Sequence, residues 1–261
     1  MKKILALILA VMMMASVFAG CGEAASDAEG DLAYIENKGK LVVGITSYEP
    51  MNYQDENGEW TGFDTEFALA VGEKLDLDVE FKEIEWDNKW QELESKKIDC
   101  VWNGMTITEE AKVNASVTDA YVINAQVLVM KADAVAGYPD AASIADLAVA
   151  VENGSAGQSA AEEAGVKNIV LVQDQGAALM EVAAGTSDAC VIDITMANAM
   201  TGEGTSYADL TSGISLTSEE YGVAFRKDSD LTAKFNEFMD KIAADGTLQA
   251  LADKYSLTLA G

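Results

Sequence analysis

Few side chains in this 261-residue sequence could carry covalent chemistry. Histidine is absent, so the commonest general base is missing. Cys100 and Cys190 sit inside apolar runs, Ile98-Asp99-Cys100-Val101-Trp102 and Ala189-Cys190-Val191-Ile192. They read as small buried hydrophobes rather than nucleophiles or a disulfide pair. No paired-cysteine spacing suggests a metal, and nothing in the chain calls for a cofactor. Glu110 and Lys112 form a pair that could exchange a proton, but charges on an exposed helix start are ordinarily just solvated. The residues therefore argue against an enzyme and for recognition chemistry. Two features stand out: polar residues that end apolar strands, and a helix opening at Ser155-Ala156-Gly157-Gln158, where backbone N–H groups and the helix dipole favour an anion.

The elements that must position these residues alternate from residue 41 onward. Leu41–Ile45, Val79–Ile84 and Ile98–Trp102 read as strands. Between them, Asp64 is placed as the N-cap of a helix with an apolar face at Phe67, Leu69, Ala70, Val71 and Leu75, and residues 86–96 form a second helix. The pattern restarts after Pro139. Strands are expected at Leu147–Val151, Ile169–Val172 and Ala189–Ile194, with helices from Ser155 (a capping-box match with Gln158) and from Asp174 to a stop at Gly185. Leu231, Phe235, Phe238, Met239 and Ile242 recur at helical spacing near the end, and a short helix runs on to Tyr255. Two βαβαβ-like units imply two α/β lobes with sheets and covering helices, and small-molecule sites in such folds lie beyond the carboxyl ends of the strands and between lobes.

The front of the chain speaks to compartment. Met1-Lys2-Lys3 is a positive start, Ile4–Phe18 is an apolar run too short for a comfortable membrane span, and Ala19-Gly20-Cys21 follows. Residues 1–20 are expected to be a signal peptide, with Cys21 acylated as in a lipobox and residues 21–39 acting as a flexible tether. The net charge of −27 makes nucleic acid an implausible partner.

One set of segments carries a resemblance: Gly62-Phe63-Asp64, Trp86-Asp87, Lys97-Ile98-Asp99 and Gly104-Met105-Thr106-Ile107-Thr108-Glu109-Glu110. The chain from about residue 40 to 258 resembles the family 3 solute-binding proteins, the type II periplasmic binding proteins of polar amino-acid ABC importers. The resemblance implies an α/β, two-lobed fold, each lobe a mainly parallel sheet with flanking helices, joined by a two-strand hinge. Lobe 1 would be residues 40–122 plus 224–261 and lobe 2 residues 123–223, with the crossing strands around Ile123–Met130 and Gly222–Arg226. The implied role is the substrate-binding subunit of an importer: a monomer, lipid-anchored outside the bacterial cell membrane, closing on a polar amino acid or close analogue and passing it to a permease and ATPase.

The same resemblance assigns roles by position. Tyr48 and Trp86 would be aromatic walls against the ligand. Asn103, Gly104 and Thr106 would contact its α-amino and carboxylate groups, Ser155 its carboxylate, and Asp193 its ammonium. The family places an arginine clamp for the carboxylate where this chain has Ala111, and the one arginine present, Arg226, belongs to a crossing strand. Lys112 or Lys89 could offer only a point charge in its place; either Thr106, Ser155 and backbone amides hold the carboxylate, or the ligand is a cationic amine without one. Enzymes such as cyclohexadienyl dehydratases share the resemblance, but no acid–base pair for such chemistry is evident here.

Overall fold

Residues 30–261 are described by the computed structural model; the expected signal peptide, Cys21 and the first part of the tether lie outside the described residues. The rest of the expected tether is a helix, α1 (Asp31–Lys38). It is ordered because it has something to bury and something to bond: Ile35 is fully buried, and Asp31 accepts from Arg226 Nε at 2.7 Å and from the Ser229 hydroxyl at 2.8 Å. Arg226 also donates to the Ile98 carbonyl at 2.7 Å and to the fully buried Asp99 at 3.0 Å, while Lys38 pairs with the other Asp99 oxygen. Arg226→Ala would leave Asp99 short of a partner in the interior. A loss of about 3–5 kcal/mol in unfolding free energy is expected, measured by urea denaturation.

The first lobe continues as β1 (Lys40–Ile45), the short hairpin β2 (Tyr53–Gln54) and β3 (Trp60–Thr61), α2 (Phe63–Leu75) and β4 (Asp78–Glu83). A 3-10 turn at Trp86–Asn88 leads into α3 (Lys89–Glu94), followed by β5 (Cys100–Thr106), α4 (Glu109–Asn114), β6 (Ala115–Val117) and β7 (Val122–Asn124). The chain then forms β8 (Gln126–Lys131), β9 (Ala148–Glu152), α5 (Ala156–Glu163), β10 (Asn168–Val172), α6 (Gln175–Ala184), β11 (Ala189–Asp193), α7 (Ile194–Met200) and β12 (Leu210–Ser215). It returns through β13 (Glu219–Arg226) and ends on α8 (Leu231–Ala244) and α9 (Thr247–Tyr255).

Two larger sheets result, one ordered β4-β1-β5-β13-β6 with β7 also on β13, the other β10-β9-β11-β8-β12. In each, all strands run the same way except one: β13 is reversed in the first sheet and β8 in the second. The sheets are thus mainly parallel, as expected, with a single reversed strand in each. The reason lies in the crossings. The parallel strands run toward the cleft, and a strand arriving from the other lobe enters at the cleft edge and runs away from it. Gln126, the first residue of β8, pairs with Asp193, the last of β11, and Tyr221 near the start of β13 pairs with Thr106, the last of β5. The second crossing also falls earlier than 222–226, at Leu216-Thr217-Ser218, because all of β13 is already paired within the first sheet. The first crossing is the single residue Ala125 between β7 and β8.

Each lobe has an apolar core. Trp102 is fully buried edge-on against Phe67 and Phe235, with ring centroids 5.0 and 4.9 Å away, and so ties β5 to α2 and α8. Leu128, Ile144, Val149, Val151 and Val191 fill the second lobe. Cys100 and Cys190 are buried free thiols in different sheets.

Candidate functional site

The carboxyl ends of the strands face one another across the cleft, and a cavity of about 230 Å³ lies there. Trp86, Asn103, Gly104, Thr106, Ser155 and Asp193 all line it. Tyr48 does not. Its hydroxyl instead bonds to Tyr221 in the first lobe and to Thr195 in the second, each at 2.5 Å, and its ring backs onto Gly104. The expected aromatic wall is therefore a buried cross-lobe contact, because the phenol finds two hydroxyl partners that a ligand face would not supply.

Asp193 ends β11 and is 4% exposed. Its carboxylate accepts from the amides of Asn124, Gln126 and Gln175, and Gln175 takes the Asp193 N–H at 2.9 Å in return. Asn124 and Gln126 also donate to Glu219 Oε1 at 2.7 and 2.8 Å, so the two acids share donors across the hinge. Burial, reinforced by the Glu219 charge, raises the Asp193 carboxyl to about 7. The Thr106 hydroxyl donates to Glu219 as well, at 2.8 Å. The Asn103 amide is bonded to Asn52 and Thr46 inside the first lobe. Gly104, in the left-handed region at φ +55, gives its N–H to the buried Asp64 carboxylate at 2.6 Å. Asp64 is thus no N-cap. It lies inside α2, whose cap is Gly62, and it anchors the strand-to-loop corner together with Tyr121, while burial lifts its carboxyl to about 7.

Ser155 caps α5, accepting from Gln158 N–H at 3.1 Å. The reciprocal bond of a capping box is shifted by one residue: Gln158 Oε1 takes the N–H of Gly154, at 2.9 Å. The first-turn N–H groups of such a helix lack intrahelical partners and point to its start. Against this end sits Lys89, 6% exposed, whose ammonium donates to the Trp86 carbonyl at 3.2 Å and, across the cleft, to the Gly154 carbonyl at 2.9 Å. It lies 4.9 and 5.1 Å from the ring centroids of Trp86 and Trp90. Trp90 is in turn fixed by Glu110, which accepts from its indole N–H at 2.7 Å. Burial lowers the Lys89 ammonium from its usual value. Ala111 is no part of the cavity; it is buried with Val42, Trp86, Leu93, Ile98 and Val101.

The lobes meet closely where Gly154, at φ +73, passes Asp87. A Cβ there would lie 2.8 Å from Asp87 Cα and 2.9 Å from its Oδ1. Gly154→Ala is expected to hold the lobes apart at a cost of about 1–3 kcal/mol in the closed form, seen as a larger radius of gyration in X-ray scattering.

Sequence reading leaves open whether Lys89, Asn124 and Gln126 face the cleft; the structure puts Lys89 and Gln126 on the cavity and Asn124 beside Asp193, while Gln175 and Glu152 were passed over. The last was within reach. An acid ending an apolar strand drew attention to Asp193, and Glu152 ends β9 in the same manner.

The chain is 29% identical over 252 residues to the L-cystine-binding protein TcyJ of Escherichia coli, with 94% of this chain and 92% of TcyJ covered. Among solved structures it resembles a mutant ArgBP from T. maritima with a TM-score of 0.80 and 30% identity, over 86% of this chain and 98% of that one. It is also similar to the ancestral amino acid-binding protein AncCDT-1, described as a precursor of cyclohexadienyl dehydratase (TM-score 0.78, 32% identity, 86% and 98% covered). A profile of the bacterial extracellular solute-binding proteins, family 3, matches residues 41–258, and the chain belongs to that family.

Proposed function

We propose that this protein is the substrate-binding subunit of an ABC importer, that it captures an amino acid in the cleft, and that an acylated Cys21 anchors it outside the cell membrane while it delivers the ligand to a permease and ATPase. One observation carries the reading. The cavity holds a buried, cradled carboxylate, Asp193, and a buried cation, Lys89, at the start of α5. An α-amino acid presents the complementary pair: its ammonium suits Asp193, and its carboxylate suits Lys89 with the α5 N–H groups. Lys89 would replace the absent arginine clamp as a point charge. The relatives that bind cystine, and the solved arginine-binding proteins, support an amino acid as the cargo. Micromolar affinity, about −8 kcal/mol, is the expected range.

A second reading, a cationic amine without a carboxylate, is favoured by one feature: Ala111 is sealed in an apolar cluster, so no guanidinium reaches the cavity from that position. Calorimetric titration with L-lysine and with cadaverine, which differ by the carboxylate alone, separates the two. Tighter binding of lysine, lost in Lys89→Met, is the outcome expected of an amino-acid binder. Equal binding of cadaverine would sink it.

A further inference from the structure

Asp193 and Lys89 account for the two ends of an α-amino acid, yet a second acid in the cavity keeps one carboxylate oxygen without a donor. Glu152 closes β9, is 3% exposed and lines the same space. Its Oε1 is buried and accepts no hydrogen bond. A buried carboxylate oxygen without a donor is costly and is expected to be met by something else, an ordered water or a ligand. Lys89 does not meet it: the ammonium bonds to two carbonyls and lies within ion-pair distance of no acid among the described residues.

Charge points the same way. Glu110, Glu152, Glu163 and Asp193 line the cavity against Lys89 alone. A zwitterionic ligand with a neutral side chain leaves this imbalance untouched, whereas a ligand of net positive charge reduces it. Sharing one ammonium between Glu152 and Asp193 does not fit the sheet. β9 and β11 are parallel neighbours with Ala189 beside Val149 and Cys190 beside Ala150. Carried forward, that register sets Ile192 beside Glu152, so Asp193 is one residue out of phase and its side chain leaves the opposite face. The two acids are separate subsites.

We propose that Glu152 is a second cation site in the cleft and that it binds the distal positive group of a ligand whose first ammonium is held by Asp193, so that the cleft selects a basic amino acid over one with a neutral side chain. This rests on the amino-acid reading for the carboxylate alone; the two cation subsites stand without it. Burial, with the charges of Asp193 and Asp174 added and only partly offset by Thr46 and Lys89, raises the Glu152 carboxyl to about 8. The site is thus largely protonated near neutral pH until a cation arrives.

The test compares L-arginine with L-citrulline, which has nearly the same shape and no side-chain charge, by calorimetry on the wild type and on Glu152→Gln. Wild type is expected to favour arginine by tenfold or more, and Glu152→Gln to lose that preference with citrulline affinity held within about threefold. Equal wild-type affinities would overturn the proposal, and so would a variant that loses both ligands alike, since Glu152 would then serve the α-ammonium or the fold. Should Glu152→Gln not fold, proton release by wild type decides, measured from the dependence of binding enthalpy on buffer ionisation at pH 7. Arginine should release more protons than citrulline, and equal release counts against a distal site. Putrescine, a dication without a carboxylate, separates the two readings. If it binds through Glu152 while no amino acid binds, the amino-acid reading fails and the second site stands. If neutral amino acids bind and the dications do not, the second site fails alone.

Discussion

Asp193→Asn is expected to reduce ligand affinity by at least about 100-fold, roughly 3 kcal/mol or more, with little loss of stability in the ligand-free protein. The change keeps the shape of the side chain and removes its charge, so an incoming ammonium enters a desolvated site and meets a neutral amide. It also places an NH2 group among three amide donors, Asn124, Gln126 and Gln175, which must rotate to accommodate it. Stability is spared because Asp193 is not ionised without cost in the empty cleft. Burial and the neighbouring Glu219 already push its carboxyl up to about 7, and the neutral variant escapes that repulsion. Calorimetric titration measures the affinity, and a thermal melt of the ligand-free variant measures the stability. A variant that melts well below wild type at pH 8 while retaining affinity would show that Asp193 holds the fold rather than the ligand.

The ligand-free protein is expected to be more stable near pH 5 than near pH 8, against the common pattern for carboxylates. Three buried acids have folded values above those of an unfolded chain: Asp64 at about 7, Asp193 at about 7 and Glu152 at about 8, each with burial as the leading cause. Between about pH 4 and 8 the folded state therefore holds more protons than the unfolded state, and stability falls as pH rises. The stabilising contribution is full below the unfolded values near 4 and is lost as pH passes through the folded values of 7 to 8. A shift of one unit is worth about 1.4 kcal/mol, so the summed effect should move the melting temperature by many degrees across that window. Melting curves at half-unit steps from pH 4.5 to 9 test it, with Glu152→Gln expected to flatten the upper part of the profile. A cationic ligand should flatten it too, since an ammonium beside Asp193 favours the charged form.

Much of the fold was legible because it rests on local patterning. Apolar runs of strand length, the helical recurrence from Leu231 to Ile242, and stops at Gly185 and Gly246 depend on neighbours a few residues away. Strand direction was legible too, except for the reversed strands β8 and β13. Which strands run antiparallel depends on the chain crossing between lobes twice, at Ala125 and at 216–218, and no local pattern records where a strand enters its sheet. The tether was misjudged past residue 30 for a similar reason. The short segment 31–38 is polar enough to look unstructured, and its order comes from Arg226, Ser229 and Asp230, nearly 200 residues away.

The site divides along the same line. From the sequence, patterning set Trp86, Asn103, Gly104, Thr106, Ser155 and Asp193 at strand ends or helix starts, and the resemblance to the family singled them out as ligand contacts. The sequence by itself also determined that no arginine occupies position 111. Only the tertiary structure decided which side chains face the cavity. Tyr48 turned to Thr195 and Tyr221, Ala111 went into the apolar cluster beneath Trp86, and Lys89 reached across to Gly154. Each outcome is a competition among partners distant in sequence, won by whichever bond or burial satisfies the group at the lowest free energy. Glu152 shows the other side of that rule: folding found its Oε1 no donor, and the buried oxygen is left for a ligand to meet.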